Sequence, residues 1–383
     1  MTLHLNPDEL ATCVGCGLCL PHCPTYRVTG EEALSPRGRI AAMKAVEAGE
    51  APVDDDFVSF MSSCVQCRGC EPACPSGVPY GHLIERTRET LATTGRTTPW
   101  WQRLGYRILG HHRLLLAGSS ALAVGQRLHL VPNRVALSRV PLRRGRALAS
   151  TGGDVWLFTG CVMDAWQRDT HRNTQRLIER TGATTRIPSA GASCCGALHV
   201  HAGLEAEARA LAERTMAALP GPAAVLVNSA GCGAQLKDYG HLLGTAEARA
   251  FSARVFDIHE WLAERIERLG PPKRRLDPII VQDPCHLRHV QKAHMPVRTL
   301  LANVADLIEL DDDGVCCGAG GAYSALQPEL AARIRERKLG AVARARLAGG
   351  RVVASANPGC AMHLGAAGLD VRHPVDLLAE AYE

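Results

Sequence analysis

The chain has 383 residues, of which 46% are hydrophobic, 4% aromatic and 21% charged, with a formal net charge of +5. That length exceeds one ordinary core and implies two to four domains. The composition is that of a folded, soluble protein whose cores rest on Ala, Leu and Val, and so mild a charge gives no ground for a nucleic-acid partner.

The opening MTLHLNPDEL lacks a charged segment followed by an apolar one, so it does not read as a secretory signal and a cytoplasmic location is expected. There the chain's 16 cysteines meet reducing conditions, which favour metal binding over disulfides. Eight of them stand in two runs of identical rhythm: Cys13, Cys16, Cys19, Cys23 before Pro24, and Cys64, Cys67, Cys70, Cys74 before Pro75. Three closely spaced cysteines can wrap a short loop around three corners of an iron–sulfur cube, and the fourth corner needs a thiolate from elsewhere. In two-cluster ferredoxins the fourth cysteine of each run crosses to the other cluster. That pattern assigns Cys13, Cys16, Cys19 and Cys74 to one [4Fe–4S] cluster, and Cys64, Cys67, Cys70 and Cys23 to the other. Zinc is the plainer alternative, but its sites use four ligands in two Cys-x-x-Cys pairs, and two full runs exceed that need. Pro24 and Pro75 are expected to end the ligand loops.

Between the runs, SPRGRIAAMKAVEAGE predicts a helix with Ser35 as cap and Ile40, Met43 and Val46 on one face, and PVDDDFVSFMSSC predicts a second. The segment 1–95 resembles the alpha-helical ferredoxin domains of respiratory iron–sulfur subunits.

A basic helical linker, 96–150, follows. From Thr90 to Gly153 there is no Asp or Glu, while ten arginines run from Arg96 to Arg146 beside Trp100 and Trp101. Such a stretch suits anionic lipid or an acidic partner. The competing account is habit, since only five of the 43 basic residues are Lys. The apolar LLLAGSSALAVG is about half the roughly 20 residues a membrane span needs.

The C-terminal half repeats itself. DVWLFTGC pairs with DPIIVQDPC, GASCCGA with DGVCCGAG, AAVLVNSAGC with RVVASANPGC, and RVFDIHEWLAE with DVRHPVDLLAE. Two modules result, 151–272 and 273–383. Short β-branched runs (VWLFTG, AAVLVNS, PIIVQD, RVVASAN) alternate with helical stretches such as TQRLIERTG and AEARALAERTMAAL, which predicts parallel α/β sheets. Ligands of such sheets lie beyond the carboxyl ends of the strands. Cys161, Cys232, Cys285 and Cys360 stand just past predicted strand ends, and the adjacent pairs Cys194–Cys195 and Cys316–Cys317 precede glycines that permit tight turns. These eight are candidate metal ligands; the bland reading makes them small buried hydrophobes. Asp283, His286, His289 and His294 gather around Cys285 in sequence, with His286 and His289 as candidates to approach a cofactor or relay a proton. Lys237 and Tyr239 read as packing residues, and Gly318–Tyr323 as a tight turn and not a phosphate loop.

The stretches CLPHCPTYRVTGEEALSPRGRI, CRGCEPACPSGVPYG, GCGAQLKDYGHLL, DPCHLRHVQK, CCGAGGAYSALQPE and NPGC span nearly the whole chain. Together they resemble the iron–sulfur subunits of bacterial glycolate oxidases, which share tandem CCG domains with heterodisulfide reductases. The resemblance implies a fold of α + α/β class: an alpha-helical two-cluster ferredoxin domain followed by two tandem CCG modules. It implies a relay subunit that has no catalytic residues and is inactive alone. Such a subunit takes electrons from an FAD-containing 2-hydroxy-acid oxidase subunit, with FAD only in that partner, and passes them toward quinone or a membrane acceptor. Peripheral contact with the cytoplasmic face of the membrane through 96–150 is expected. One departure stands out: CCG domains that build a noncubane cluster end in Cys-x-x-Cys, whereas Ser229 and Asn357 replace the first cysteine here. The remaining four cysteines per module are compatible with one ordinary cubane in each, with one in a single module, or with none. Competing readings are a related lactate or glycerol-3-phosphate dehydrogenase subunit, a thiol–disulfide reductase, and a redox sensor or metal-binding scaffold.

Overall fold

The computed structural model describes residues 2–131, 138–143, 145–188 and 192–383. Arg134 and Arg144 of the basic linker lie outside them. The chain builds an alpha-helical N-terminal domain and two α/β modules, each around one small parallel sheet.

In the N-terminal domain the helices Pro36–Glu47, Asp55–Ser62 and Tyr80–Thr93 form the frame. Ser35 Oγ accepts the Gly38 N–H at 2.9 Å and Asp54 Oδ1 accepts that of Phe57 at 2.9 Å, so both of the first two helices start on side-chain caps. Ile40, Met43 and Val46 point one way and pack with Phe57, Met61, Leu83, Ile84 and Leu91. Each such side chain contributes about 1.5–3 kcal/mol by leaving water. Pro24 does more than end a ligand loop. It opens the helix Pro24–Thr29, where its fixed φ suits the first turn and its missing N–H has no partner to lose. Pro75 lies in a turn.

Two linker helices follow, Trp100–Gly110 and His112–Arg127. Tyr106, Leu115 and Ala123 face inward, whereas Trp100, Trp101, Leu104, Leu114 and Leu128 are exposed, Trp100 at 76%. Trp166 Nε1 donates to Ser119 Oγ at 2.9 Å, and His112 Nε2 meets Asp164 Oδ2 at 3.0 Å, tying the second linker helix to the first module.

The first module holds β1 (Val155–Phe158), β2 (Thr185–Arg186), β3 (Ala224–Val227) and β4 (Val255–Asp257), in the order β2-β1-β3-β4. The second holds β5 (Ile279–Val281), β6 (Leu307–Glu309), β7 (Val352–Ala354) and β8 (Asp370–Arg372), in the matching order β6-β5-β7-β8. All pairings are parallel. β1, β3, β5 and β7 form where the apolar runs predict them; the flanking strands are two or three residues long.

The modules share one core. Val155, Leu226, Ile258 and Trp261 of the first pack in the same cluster as Ile279, Leu300, Ala354 and Leu378 of the second. Ala230 N–H donates to Ala356 O at 3.1 Å, and Asp376 accepts from Thr170 and Asn173 at 2.8 and 2.9 Å. The N-terminal domain docks onto both. Arg88 donates to His201 O at 3.0 Å, Tyr323 Oη to Ser63 O at 3.0 Å, and His286 Nε2 lies 2.9 Å from Gln66 O.

At the joint with the first module a cavity of about 680 Å³ is lined by His82, Glu85, Asp238 and His241, the two imidazoles stacked 3.7 Å apart. Burial, then the neighbouring Asp238 charge, pushes the Glu85 carboxyl up to about 8. The folded chain therefore keeps this proton over a range in which an unfolded carboxyl, near 4.3, has lost it. The sign follows: this group's contribution is full below about pH 4 and is lost as pH rises toward 8. Denaturation of wild type and Glu85→Gln across pH 5 to 9 should show the wild type losing stability relative to the variant. Parallel curves would contradict the assignment.

Candidate metal centres

Cys13, Cys16, Cys19 and Cys74 line one cavity of about 440 Å³, together with Cys70. Cys23, Cys64, Cys67 and Cys70 line a second of about 280 Å³. The first thus takes three cysteines from the first run and Cys74 and Cys70 from the second, the second takes three from the second run and Cys23 from the first, and the two share Pro36, Cys70 and Tyr80 in their walls.

The loops achieve this with the same backbone turn. Gly15 and Gly17 flank Cys16 at φ 73° and 83°, and Gln66 and Arg68 flank Cys67 at φ 56° and 57°. Left-handed residues on both sides of the middle cysteine gather successive N–H groups into a concavity of the kind that cradles anions and iron–sulfur groups. Glycine adopts this freely, but Gln66 and Arg68 each cost about 1–2 kcal/mol. Arg68 is anchored by Glu71 at 2.9 Å, and Gln66 by Arg88 at 2.8 Å.

The two cavities differ in surroundings. Cys16 is exposed and flanked by Val14 and Leu18, 74% and 56% exposed. The four cysteines of the second cavity are all buried. Cys64 Sγ there accepts from Gln66 N–H at 3.4 Å and Tyr80 Oη at 3.5 Å, and Cys23 Sγ lies 3.2 Å from Thr25 Oγ1. Behind them Arg39 is 1% exposed and donates to Phe60 O and Ser63 Oγ at 2.7 and 2.9 Å. Burial works against its charge, but Tyr80, Cys64 and Cys23 outweigh it and raise its pKa. Burial, then Cys64 and Cys23, pushes the Cys70 thiol well up. Metal binding at such a site releases protons.

In the modules the strand order places the eight remaining cysteines. Cys161 follows β1 and Cys232 follows β3, on either side of the crevice where strand order reverses, and Cys194 and Cys195 arrive from the loop after β2. Cys161 and Cys194 are close enough to perturb each other's thiol, as are Cys195 and Cys232. The linker helix covers this site: Leu115 packs with Cys161 and Cys194. In the second module Cys285 and Cys67 pack around Cys316, and these two with Cys317 hold its thiol well below the ordinary value, while Cys360 acts on Cys317. Cys67 belongs to the second N-terminal cavity, so that cavity and the second module's cysteines are in contact.

Ser229 and Asn357 bridge the modules. Asn357 Oδ1 accepts from Ser229 Oγ at 3.4 Å and Gly231 N–H at 3.2 Å, and Asn357 Nδ2 lies 3.6 Å from Cys360 Sγ. A fifth thiolate per module is replaced by a joint between modules, so a five-cysteine group does not fit here, whereas four cysteines remain in each. Among the described residues, no three His, Cys, Asp or Glu side chains gather tightly enough for a single ion. The N-terminal cysteines instead ring two cavities, a donor set that fits thiolate-held iron–sulfur groups.

Both candidate histidines approach the second cysteine loop, His289 lying against Gly69 beside Cys70. His286 reaches the Cys64–Cys67 loop, and His289 Nε2 lies 3.2 Å from Gly314 O. Asp283 is committed to Arg288 and Arg298 at 3.0 and 2.9 Å. Lys237 pairs with Glu260 at 2.7 Å, and Tyr239, fully buried, donates to Cys195 O at 2.9 Å. Arg39 and Gln66 escape a reading based on cysteine spacing. Arg39 had one signal, its place four residues before Met43 on the buried face.

Residues 9–78 match the model described as a 4Fe-4S dicluster domain, and residues 155–237 and 279–365 each match that described as a cysteine-rich domain. The probable glycolate oxidase iron-sulfur subunit of Bacillus subtilis (strain 168) is 33% identical, with 98% of this chain and 95% of that protein covered. The glycolate oxidase iron-sulfur subunit of Escherichia coli (strain K12) is 30% identical over 98% of this chain and 94% of its own. One component of the dihydromethanophenazine:CoB–CoM heterodisulfide reductase of Methanosarcina mazei is 28% identical over 86% and 83%. With two relatives of one kind matched over nearly their whole length, this chain belongs to the family of glycolate oxidase iron–sulfur subunits.

Proposed function

We propose that this chain is the electron-carrying subunit of a flavin-dependent 2-hydroxy-acid oxidase acting on glycolate. It relays electrons from an FAD-containing partner subunit toward a quinone or membrane acceptor. The observation that carries this reading is the pair of cysteine-lined cavities, each drawing on both runs and sharing Cys70 in their walls. Cys13, Cys16, Cys19 and Cys74 would hold one [4Fe–4S] cluster, and Cys23, Cys64, Cys67 and Cys70 the other. Cys161, Cys194, Cys195 and Cys232, and Cys285, Cys316, Cys317 and Cys360, would hold up to one more in each module. Such clusters, when bound, each carry one electron at a potential set by burial, charge and hydrogen bonds to sulfur.

The chain's own residues set direction and environment. Cys16, with Val14 and Leu18 exposed beside it, offers the face for the flavoprotein. Tyr80 and the Gln66 N–H bond to Cys64 sulfur, and Arg39 supplies a buried positive charge, so the second site favours added negative charge over the first. Cys67 touching Cys316 extends the line into the second module. A thiol–disulfide reductase reading loses its main support at Ser229 and Asn357, which are bonded to each other.

Anaerobically purified chain mixed with glycolate and a dye acceptor should give no turnover. Adding the flavoprotein subunit should restore dye reduction that Cys64→Ser abolishes. Glycolate oxidation by the chain alone would sink the reading.

The linker contacts the membrane surface in this account. Among the described residues no helix is long and apolar enough to cross a membrane, but Trp100, Trp101, Leu104 and Leu114 are exposed within a segment free of carboxylates. In vesicle flotation the chain should bind anionic more than neutral vesicles. Arg107→Gln with Arg113→Gln should weaken that by roughly tenfold or more, at about 1 kcal/mol per charge. Equal binding by wild type and double variant would exclude this role.

A further inference from the structure

Beside the second cysteine cavity lies a larger one, of about 940 Å³, where the N-terminal domain, the first linker helix and the second module meet. Its wall includes Cys64, Gln66, Thr97, Gln102, Tyr106 and Tyr323. Gln66 is 3% exposed, and its Oε1 accepts from Arg88, which fixes the orientation of the amide. The NH₂ group at Nε2 is then a buried donor with no partner, and Thr97 Oγ1 is likewise buried and unpartnered. Buried donors left unmade are costly, and both residues line this one cavity, where a ligand with acceptor atoms would relieve them.

The wall also says what the ligand is not. Two arginines line it, and both are occupied. Arg88 donates to Met61, Ser62, Cys64 and His201 carbonyls as well as to Gln66, and Arg96 donates to Val53 O and Asp55. Among the described residues of the wall, no free arginine or lysine awaits a phosphate or a carboxylate. The buried tyrosines Tyr106 and Tyr323 supply aromatic surface instead, and the Tyr323 hydroxyl is already used on Ser63 O. Over the cavity runs the helix Trp100–Gly110. It lends Gln102 and Tyr106 to the wall and turns Trp100, Trp101 and Leu104 outward. One helix thus separates the cavity from the face assigned to lipid.

We propose that this cavity binds the ring of a quinone-class carrier: a flat, uncharged molecule with carbonyl acceptors and an apolar tail that leaves toward the Trp100–Gly110 helix. The inference rests on the electron-carrier reading and supplies the acceptor's place in it. Reduction of the ring takes two electrons and two protons and turns two carbonyls into hydroxyls. The electrons originate in the 2-hydroxy acid oxidised on the partner's flavin, and the protons come from water at the cavity mouth. Cys64, in the wall, puts the ring next to a sulfur of the second cysteine site.

The test is equilibrium binding of decylubiquinone to the anaerobically purified full-length chain, followed by ligand depletion, with iron and sulfide measured in the same samples. One saturable site per chain is expected. Ala322→Phe and Gln102→Phe, which fill the cavity from the second module and from the linker helix, should each weaken binding by tenfold or more with iron and sulfide unchanged. Equal affinity in both filled variants, or no saturable binding to a fully iron-loaded wild type, overturns the proposal. Neither result depends on glycolate turnover with the flavoprotein, so loss of that activity would indict the electron-carrier reading separately.

Discussion

Gathering cysteine sulfurs into groups of four is the constraint on which the rest of this structure depends. Sulfurs meant for one group must come from loops, because side chains along a single helix or strand cannot surround a cavity. The chain solves this twice by different means. In the N-terminal domain, left-handed residues on both sides of Cys16 and of Cys67 fold each run into a cup, and the fourth cysteine of each run is exchanged. In the modules, parallel strands deliver loop cysteines to their carboxyl ends, where the reversal between β1 and β3, or β5 and β7, opens a crevice.

Packing then sets the order of the four groups. The first cavity faces solvent, the second is buried against Arg39 and Tyr80, and the second module's cysteines touch the second cavity through Cys67 and Cys316. The first module's cysteines stand under the linker helix, with Leu115 against Cys161 and Cys194. An exposed group leading to buried ones suits a chain that accepts electrons at one surface and delivers them elsewhere. The strain at Gln66 and Arg68 falls in the loop that joins the second cavity, the second module and the large cavity beneath the linker, where three neighbours hold the backbone in place.

What was legible in the sequence was local. Three cysteines within seven residues determine a loop whatever surrounds it, and Ser35, Ile40, Met43 and Val46 determine a helix by spacing alone. The repeat exposed both modules and the strands at the centre of each sheet, because β1, β3, β5 and β7 are apolar runs. The edge strands β2, β4, β6 and β8 are as short as β5 and β7 or shorter, but each contains a charged residue that breaks the apolar run. Contacts made by docking were out of reach. The shared core of the modules, the meeting of Cys67 with Cys316 and the bond between Ser229 and Asn357 depend on surfaces far apart in the chain. Ser229 and Asn357 were visible as missing cysteines, but their service as a joint was not. His286 and Asp283 look alike in sequence, yet only His286 reaches the Cys64 loop, since Asp283 is held by two arginines.

The central claim is that the eight N-terminal cysteines hold two four-iron groups. It is tested most directly by measuring iron and acid-labile sulfide in the chain purified without oxygen, beside Cys16→Ser and Cys64→Ser. The account predicts about eight irons or more in the wild type and a loss of about four, with matching sulfide, in each variant. A colourless wild type holding zinc, or variants that keep the full iron and sulfide, would contradict it.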